Sequence, residues 1–360
     1  MEREANIQKY LRNGNSLLSL KEKPYCLKII NHKKLPHLIM FKYNQINSDF
    51  RNEIVRESRG IILDANNNWN IISYPYDKFF NYNESNAAKI DWNTKKVFKK
   101  LDGSLMVLYY YDGMWYVSSS GVPDASGPVG MESTYANLFW YTWNEHCKYK
   151  LPSDTTKCFM FELMTPMNQV VVSHNTYKLV LHGVRCLETL DEHDPHFYAE
   201  KYGWISVDKV QLDNIDAVIN VAKSIDPREE EGFVICDGNF NRIKIKSPLY
   251  IAASHQTNDT SSLSLIKILQ LNEGDEFLSA YPHVSDEYNK MKEKYNKIID
   301  EINDKWDDLK YSEMNQKDYA NNVKNFWYKD CMFKLRAGKI NDPRDWLSNY
   351  DPKKLFEYLK

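Results

Sequence analysis

Short runs in which apolar and polar positions alternate fill the first part of the chain, and such runs are typical of half-buried strands. They occur at residues 59–75, 104–118, 159–163, 178–185 and 231–246. An Asp-Gly pair at 112–113 and another at 237–238 divide two of these runs, which is a strong signal for a β-hairpin. Residues 59–75 also predict two strands, around an Asn-rich turn, and helices are expected at 132–148 and 214–224.

The hydrophobic pattern becomes helical after about residue 254. Apolar residues then recur at steps of three and four, at Tyr288, Met291, Tyr295, Ile298, Ile302, Trp306 and Leu309. We expect Ser285 to cap the helix that contains them. Asp342 and Asp351, each followed by proline, are expected to cap two later helices.

The predicted fold class is α+β: a mostly antiparallel β domain with flanking helices, followed by an all-helical C-terminal domain. We place the first domain at residues 1–254 and the second at residues 255–360. A length of 360 residues agrees with about two domains, because domains usually have roughly 100–200 residues.

Composition and charge narrow the class of protein. The chain is 42% hydrophobic and 14% aromatic, which is enough for a packed core. Its net charge of −2 provides no overall positive field, so a nucleic-acid site would have to be a local basic patch. The six cysteines include no CxxC pair and are expected to be the reduced thiols of a cytoplasmic protein. No signal peptide and no run of about 20 apolar residues is evident, so no membrane association is expected.

The sharpest candidate for chemistry is the segment Lys100-Leu101-Asp102-Gly103-Ser104. It lies at the entrance to a predicted strand, which favours a position in a cleft, although KxDG on its own also fits a turn with a solvated lysine. Glycine allows the backbone to bend closely around a bound group. A lysine amine becomes nucleophilic when nearby positive charge or burial lowers its pKa.

A row of cations follows from the alternation in Arg242-Ile243-Lys244-Ile245-Lys246. On a strand, the three basic side chains point to one face and the isoleucines to the other. An amphipathic edge strand with solvated lysines has the same pattern. Such a row would also suit a polyphosphate, and it would lower the pKa of a nearby lysine.

Two glutamates, Glu162 and Glu231, stand among apolar neighbours. Carboxylates in such strands usually have an ionic partner or a metal, and a structural ion pair with Arg185 is the simplest alternative. His193 and His196 could bind a metal, but a solvated loop is the simpler interpretation because no further ligand has zinc-site spacing.

Taken in order, KxDGS, FxFE, EGFV and KIK resemble the motifs of the covalent nucleotidyltransferase superfamily of ligases and capping enzymes. Within it, the chain resembles the RNA ligase 1 family, typified by the T-even phage enzyme that reseals broken tRNA. The serine after the glycine, ESRGII at 57–62 and KFFNYNE at 78–84 carry this resemblance. It covers roughly residues 40–281, and the C-terminal helices match only in general character.

The resemblance implies an ATP-dependent RNA ligase that joins RNA ends bearing a 5′-phosphate and a 3′-OH through a lysyl-AMP intermediate. ATP and Mg²⁺ or Mn²⁺ would be its cofactors. Broken tRNA would be a suitable substrate, with a separate end-healing kinase-phosphatase as a partner. Residues 1–254 would be the adenylyltransferase domain, and residues 255–360 would select the RNA.

The resemblance also implies roles for single residues. Lys100 would be the residue that ATP adenylylates. The implied nucleotide-binding residues are Tyr43, Arg59, Lys78, Glu162, Glu231, Lys244 and Lys246. Glu231 and Asp275 would be associated with a metal. Asp102, Gly103 and Tyr250 would have further functional roles, and Phe80 a packing role.

One stretch departs from the family pattern. Where the family has a basic residue in a K-S-K-G-like stretch, this chain has Ser118-Ser119-Ser120-Gly121, and hydroxyls are neutral and weaker donors. The alternatives are a DNA ligase, an mRNA-capping guanylyltransferase or a non-catalytic RNA-binding relative. The first two usually carry an oligonucleotide-binding barrel after the KxK strand, where helices are predicted here.

Overall fold

The computed structural model describes residues 3–130, 133–254, 262–310 and 314–359. The chain divides into two compact units, Met1–Asn44 with Ser48–Ser254, and Gln45–Asn47 with His255–Lys360. The first unit mixes helices and sheets, and helices fill most of the described part of the second. The predicted α+β class is therefore confirmed. The assignment of Gln45–Asn47 to the second unit was not expected from the sequence.

The strands belong to the first unit and follow one another along the chain. They are β1 Lys28–Asn31, β2 Leu38–Lys42, β3 Arg59–Asp64, β4 Asn70–Ser73, β5 Phe80–Asn81, β6 Lys96–Lys100, β7 Ser104–Tyr111, β8 Met114–Ser119, β9 Pro128–Val129, β10 Ser133–Thr134, β11 Lys157–Met164, β12 Lys178–Cys186, β13 Glu192–His193, β14 Ile205–Ser206, β15 Lys209–Val210, β16 Gly232–Cys236 and β17 Arg242–Lys246.

Helices occur in both units. The α-helices are α1 Asn6–Arg12, α2 Glu53–Glu57, α3 Tyr135–Tyr141, α4 Pro195–Tyr202, α5 Ile215–Ser224, α6 Pro248–Ser254, α7 Ser262–Leu271, α8 Gly274–Ala280, α9 Ser285–Leu309, α10 Gln316–Val323, α11 Lys329–Arg336, α12 Pro343–Leu347 and α13 Pro352–Leu359. Short 3₁₀ helices span Ser19–Lys21 and Pro282–Val284, and a π-helix spans Thr142–Cys147.

The strands form mostly antiparallel sheets, as predicted. A first sheet has the order β1-β2-β3-β4, a second the order β13-β12-β11-β7-β8, and a third the order β15-β6-β16-β17-β5. Parallel pairing occurs between β17 and β5 and between β12 and β14. A short antiparallel ladder joins β9 and β10.

The second sheet is buried on both faces because its strands alternate between two cores. Met106 and Leu108 of β7 pack with α3 and the π-helix, whereas Val107 and Tyr109 pack with residues of β2 and β3. The third sheet packs against α5, and the two form a separate apolar cluster that includes Val97. Near-continuous apolar runs in β7 and β11 are the expected signature of strands buried on both faces.

The two predicted hairpins have turns of different length and are stabilised in different ways. Asp112 and Gly113 have φ of +44° and +82°, which suits a two-residue turn between β7 and β8. The second loop has five residues. Its Asp237 Oδ1 accepts N–H bonds from Asn239 at 2.9 Å and Asn241 at 3.0 Å.

The predicted helix at 132–148 is only partly correct, because β10 precedes α3 and a π-helix follows it. The prediction for 214–224 is confirmed by α5, which Asn214 caps through a bond from the N–H of Ala217. Phe80 is buried in β5 and packs edge-on against Phe50 at a ring distance of 5.9 Å, which agrees with a packing role.

Helix α9 buries the periodic apolar residues of the sequence, with Trp306 half-buried. The prediction that Ser285 caps this helix is wrong. The 3₁₀ helix before it runs directly into α9, so Ser285 is the first helical residue and Val284 occupies the cap position without a side-chain bond. Asp342 and Asp351 do accept N–H bonds in the first turns of α12 and α13.

Two further observations concern the whole described chain. The six cysteines, all within the described ranges, are thiols and not disulfides, as expected. Within the described ranges, every helix is too short or too polar to cross a membrane.

Candidate active site

Lys100 ends β6, next to the strand β16. In the β6–β16 ladder Lys100 pairs with Gly232, and in the β16–β17 ladder Gly232 pairs with Lys246. The two lysines therefore flank one residue of the central strand. Gly232 has φ of +145°, and a Cβ there would lie 2.2 Å from the carbonyl oxygen of Ile245. Close packing of these strands thus requires glycine.

Glu231 joins these two lysines. Its Oε2 lies 2.6 Å from Nζ of Lys100, and its Oε1 lies 3.2 Å from Nζ of Lys246. Glu231 is only 4% exposed, and a carboxylate at this depth requires such partners because burial of an unpaired charge is costly. The direct ionic partner of Lys100 is therefore the carboxylate of Glu231, which the family resemblance also implies to lie near the nucleophile.

Alternation along β17 separates the isoleucines from the basic residues, as predicted. Ile243 is buried in the cluster with α5. Arg242, however, is held by Glu192, with Nη2 2.7 Å from Oε2, and its guanidinium lies 4.3 Å from the ring centre of Tyr76. Glu192 also pairs with Arg185, so Arg242 shares this carboxylate and is held away from the two lysines of the predicted row.

Glu162 of β11 lies beside His182 of β12, with Oε2 3.4 Å from Nε2. In the described part of the chain, Arg185 pairs with Glu192 at 3.0 Å and is not the partner of Glu162 or Glu231. His182 was not predicted as a site residue. Its local sequence carries no signal, because only the pairing of β11 with β12 brings it to Glu162.

Asp102 is buried and fixes the turn after Lys100. Its Oδ2 accepts hydrogen bonds from the backbone N–H groups of Val171 and Val172, at 2.9 and 2.6 Å. Its Oδ1 accepts one from the hydroxyl of Tyr250 at 2.9 Å. The carboxylate therefore connects the segment after Lys100 to a distant loop and to α6.

Gly103 allows the start of β7 to approach β11. A Cβ at this position would lie 2.4 Å from the carbonyl oxygen of Leu163 and 3.1 Å from Cγ of Glu162. A side chain would push the turn away from β11. The motif therefore requires glycine at position 103 for a steric reason.

A cavity lies beside Lys100 within the first unit. Its volume is about 950 Å³, including the part that is open to solvent. Strands β6, β7, β11, β12, β16 and β17 contribute to its wall. Its polar lining includes Arg59, Lys96, Lys100, Glu162, His182 and Asp194, and its apolar lining includes Phe79, Phe98, Leu101, Leu105, Val207 and Val234. The cavity thus combines broad apolar surfaces with cations and carboxylates.

Arg59 lines this cavity, and Lys78 lines an adjoining one that shares Phe79 and Arg242 with it. Among the residues described, the buried Nη1 of Arg59 has no hydrogen-bond partner. Nζ of Lys78 lies 5.3 Å from the ring centre of Tyr43. Burial would raise the pKa of Tyr43, but nearby cations, led by Lys78 and Arg59, outweigh it and lower the pKa.

Asp275 is exposed near the start of α8 in the second unit, so its association with a metal stays a prediction. No group of three or more potential ligands that could hold a metal, including His193 and His196, occurs among the described residues. Mg²⁺ does not need such a cage, because one or two carboxylates and substrate phosphates commonly hold it. Both oxygens of Glu231 face lysine ammonium groups, so its association with a metal also stays a prediction.

The family model of the RNA ligases matches residues 57–250, which is more than half of the chain. The chain therefore belongs to this RNA ligase family. All the described site residues except Tyr43 and Asp275 lie within the matched range.

Curated relatives agree with this family. An RNA ligase of Rhodothermus phage RM378 is 32% identical over 186 residues, which is 42% of each chain. A protein of Autographa californica nuclear polyhedrosis virus, described as a candidate bifunctional polynucleotide kinase/RNA ligase, is 26% identical over 78% of this chain and 42% of its own. The chain thus spans less than half the length of these relatives. Among solved structures, an archaeal ATP-dependent RNA ligase has a TM-score of 0.46 at 11% identity, covering 73% of this chain and 67% of its own.

Proposed function

We propose that this chain is an ATP-dependent RNA ligase that becomes adenylylated on Lys100. The arrangement that carries the proposal is Glu231 bound to both Lys100 and Lys246 beside a large cavity. The attack of a lysine on a phosphate requires an amine, a proton acceptor and a second cation close together, and the amine, Lys100, also lines the cavity. Membership of the RNA ligase family supports RNA as the substrate.

In the first step, the neutral amine of Lys100 would attack the α-phosphorus of ATP in line with the departing pyrophosphate. The ammonium of Lys100 would first lose a proton to a base; an N–P bond then forms and the P–O bond to pyrophosphate breaks. The base that we propose is Glu231, whose Oε2 lies 2.6 Å from Nζ of Lys100. Lys246 would then offset negative charge on the phosphate.

The other predicted residues would hold the nucleotide. Arg59, Lys78 and Lys244 would bind the phosphates, because cations stabilise the charge of a phosphoryl transfer. Glu162 and Tyr43 would help to seat the nucleoside, and the apolar lining of the cavity suits a planar base. Mg²⁺ or Mn²⁺ would supply further charge stabilisation at the phosphates, with Glu231 as the residue of the first unit that would hold it.

In the later steps, AMP would move to the 5′-phosphate of an RNA, and a 3′-OH would displace it to seal the strand. The helical second unit would select the RNA, in a cytoplasmic reaction. Broken tRNA is the proposed substrate, with a separate kinase-phosphatase preparing its ends. The name of the relative from Autographa californica nuclear polyhedrosis virus, which combines a kinase with a ligase, supports a link to end healing.

The first experiment incubates the protein with α-labelled ATP and Mg²⁺ and separates the products by denaturing electrophoresis. Label should stay on the protein, and Lys100→Ala should abolish it. Lys223→Ala is the control, because Lys223 is exposed on α5 and lines neither cavity, so its loss should leave labelling intact. Labelling that survives in Lys100→Ala would contradict the proposal.

The second experiment identifies the substrate. Single-stranded RNA with a 5′-phosphate should give circles or joined products, and GTP should not replace ATP. Equal labelling from GTP would indicate a capping enzyme. Better sealing of a nicked DNA duplex than of RNA would indicate a DNA ligase, and no labelling at all would indicate a non-catalytic relative.

A further inference from the structure

A row of cations crosses the first sheet at the end of β2. Lys42 pairs with Lys28 of β1 and with Arg59 of β3. Like charges directly opposite one another destabilise a strand pair. Throughout the described ranges, neither Lys42 nor Arg59 forms an ion pair with a carboxylate. The sheet therefore holds two adjacent positive charges without a protein anion to balance them.

A β-bulge creates this arrangement. The β2–β3 ladder pairs Phe41 with Ile61 and then Lys42 with Arg59, so Gly60 is the extra residue, with φ of +105°. In a regular ladder, Gly60 would lie opposite Lys42, and Arg59 would be displaced from it. Bulges often re-aim a side chain next to an active site. The backbone thus departs from regular pairing in a way that brings the two cations together.

The ammonium of Lys42 lies beside the segment that departs from the family pattern. A Cβ on Gly121 would lie 3.2 Å from Nζ of Lys42, and a Cβ on Gly60 would lie 3.9 Å from the carbonyl oxygen of Ser120. Strand β2 therefore delivers a cation to the place where the end of β8 supplies only hydroxyl groups.

Electrostatics at this point also favour an anionic ligand. Burial lowers the pKa of Lys42, and Lys28 and Arg59 lower it further against an opposing effect of Tyr43. Lys42 in turn is one of the cations that lower the pKa of Tyr43 despite its burial. A concentration of half-buried cations is costly on its own, and an anion would relieve that cost.

We infer that Lys42 and Arg59 together bind a phosphate group in the polyphosphate tail of the nucleotide. The inference rests on the proposed function, because Arg59 lines the cavity of Lys100 and Lys42 lies directly beside Arg59. The β- or γ-phosphate of ATP has the right chemistry, and the single phosphate of AMP would stay with Lys100 and Lys246. The 5′-phosphate of RNA has the same chemistry, so the experiment must separate the two.

The test compares the protein with Lys42→Met, which removes the charge and keeps the length of the side chain. The ATP concentration that half-saturates self-adenylylation should rise on the order of 10- to 100-fold, because a charged hydrogen bond is lost. Sealing of RNA that already carries 5′-AMP needs no ATP and should be unchanged. Lys28→Met, at the exposed end of the row, should behave like the unaltered protein.

Two further variants guard against a folding defect. Lys42→Arg keeps the charge and should retain most of the ATP affinity. Lys42→Ser combined with Ser120→Lys moves the cation to the neighbouring segment and should restore affinity relative to Lys42→Ser alone. An unchanged ATP dependence in Lys42→Met overturns the inference, and so does a defect confined to the sealing of adenylylated RNA, which would assign Lys42 to the RNA phosphate.

Calorimetry with inorganic tripolyphosphate separates this inference from the proposed function. Binding that weakens in Lys42→Met but not in Lys28→Met supports the phosphate site even if the protein never becomes adenylylated. Equal binding by all variants, in a protein that does become adenylylated, overturns the phosphate site and leaves the proposed function intact.

Discussion

Tyr250 and Asp102 are 148 residues apart in the sequence, and a hydrogen bond of 2.9 Å joins them in the buried interior. The hydroxyl of Tyr250 donates to the same carboxylate that fixes the loop at Val171 and Val172. Since Asp102 follows Lys100 by two residues, this bond connects the position of the nucleophile to α6. Tyr250 is thus best understood as a positioning residue.

Tyr250→Phe should lower both stability and the rate of adenylylation. It removes a donor from a buried carboxylate, which typically costs about 1–3 kcal/mol. Urea unfolding and labelling with α-labelled ATP measure the two effects. Tyr141→Phe is the control, because Tyr141 is 50% exposed and its replacement should change neither quantity. Equal behaviour of the two variants would show that the Tyr250 bond contributes nothing.

Glu231→Gln should slow adenylylation while it preserves the shape of the site. The amide cannot accept a proton from Lys100, and general bases typically contribute about 10²–10⁴-fold to a rate. Single-turnover labelling measures this effect. Glu230→Gln alters the neighbouring carboxylate, which pairs with Lys99, and should leave the rate within about threefold of the unaltered value. A rate for Glu231→Gln that matches this control would exclude Glu231 as the proton acceptor.

Gly232→Ala should be strongly destabilising. The new Cβ would lie 2.2 Å from the Ile245 carbonyl oxygen and 2.8 Å from Cα of Lys246, so β16 and β17 must separate. Gly203→Ala is the matched control, because Gly203 also has positive φ but nothing lies within 4 Å of its added Cβ. We expect about 1 kcal/mol of lost unfolding free energy in the control and several times more in Gly232→Ala. Equal losses would mean that the strands adjust without cost.

Tyr111 should make stability depend on alkaline pH. Burial and a hydrogen bond to Asp64 at 3.0 Å raise its pKa from 10.0 to about 12. The folded-state pKa is raised, so the protonated Tyr111 hydroxyl adds to the free energy of unfolding. This stabilisation is complete below pH 10 and is lost as the pH rises towards 12. The difference in unfolding free energy between the protein and Tyr111→Phe should therefore stay constant from neutral pH to pH 10 and narrow above it. A difference that widens above pH 10 would contradict this assignment.

Local sequence determined much of the fold. Alternation of apolar and polar residues predicted the main strands, and turn chemistry at 112–113 predicted a hairpin that the structure contains. Asp342 and Asp351 cap helices because an acidic cap needs only the N–H groups of the next residues. These features depend on groups a few residues apart, so the sequence displays them directly.

Ionic and hydrogen-bond partners were decided by the tertiary structure. The sequence showed a row of three cations on β17, but only the fold joins Arg242 to Glu192 and leaves Lys246 beside Glu231. It gave no sign of His182 next to Glu162.

The neighbours of Lys42 are also decided by the tertiary structure, because a bulge in β3 brings it to Arg59 and the end of β8 brings it to Gly121. The sequence by itself determined which residue types were present and which face of a strand each would occupy. The pairing of distant strands decided which charges meet, because a one-residue change of register alters every neighbour of a side chain.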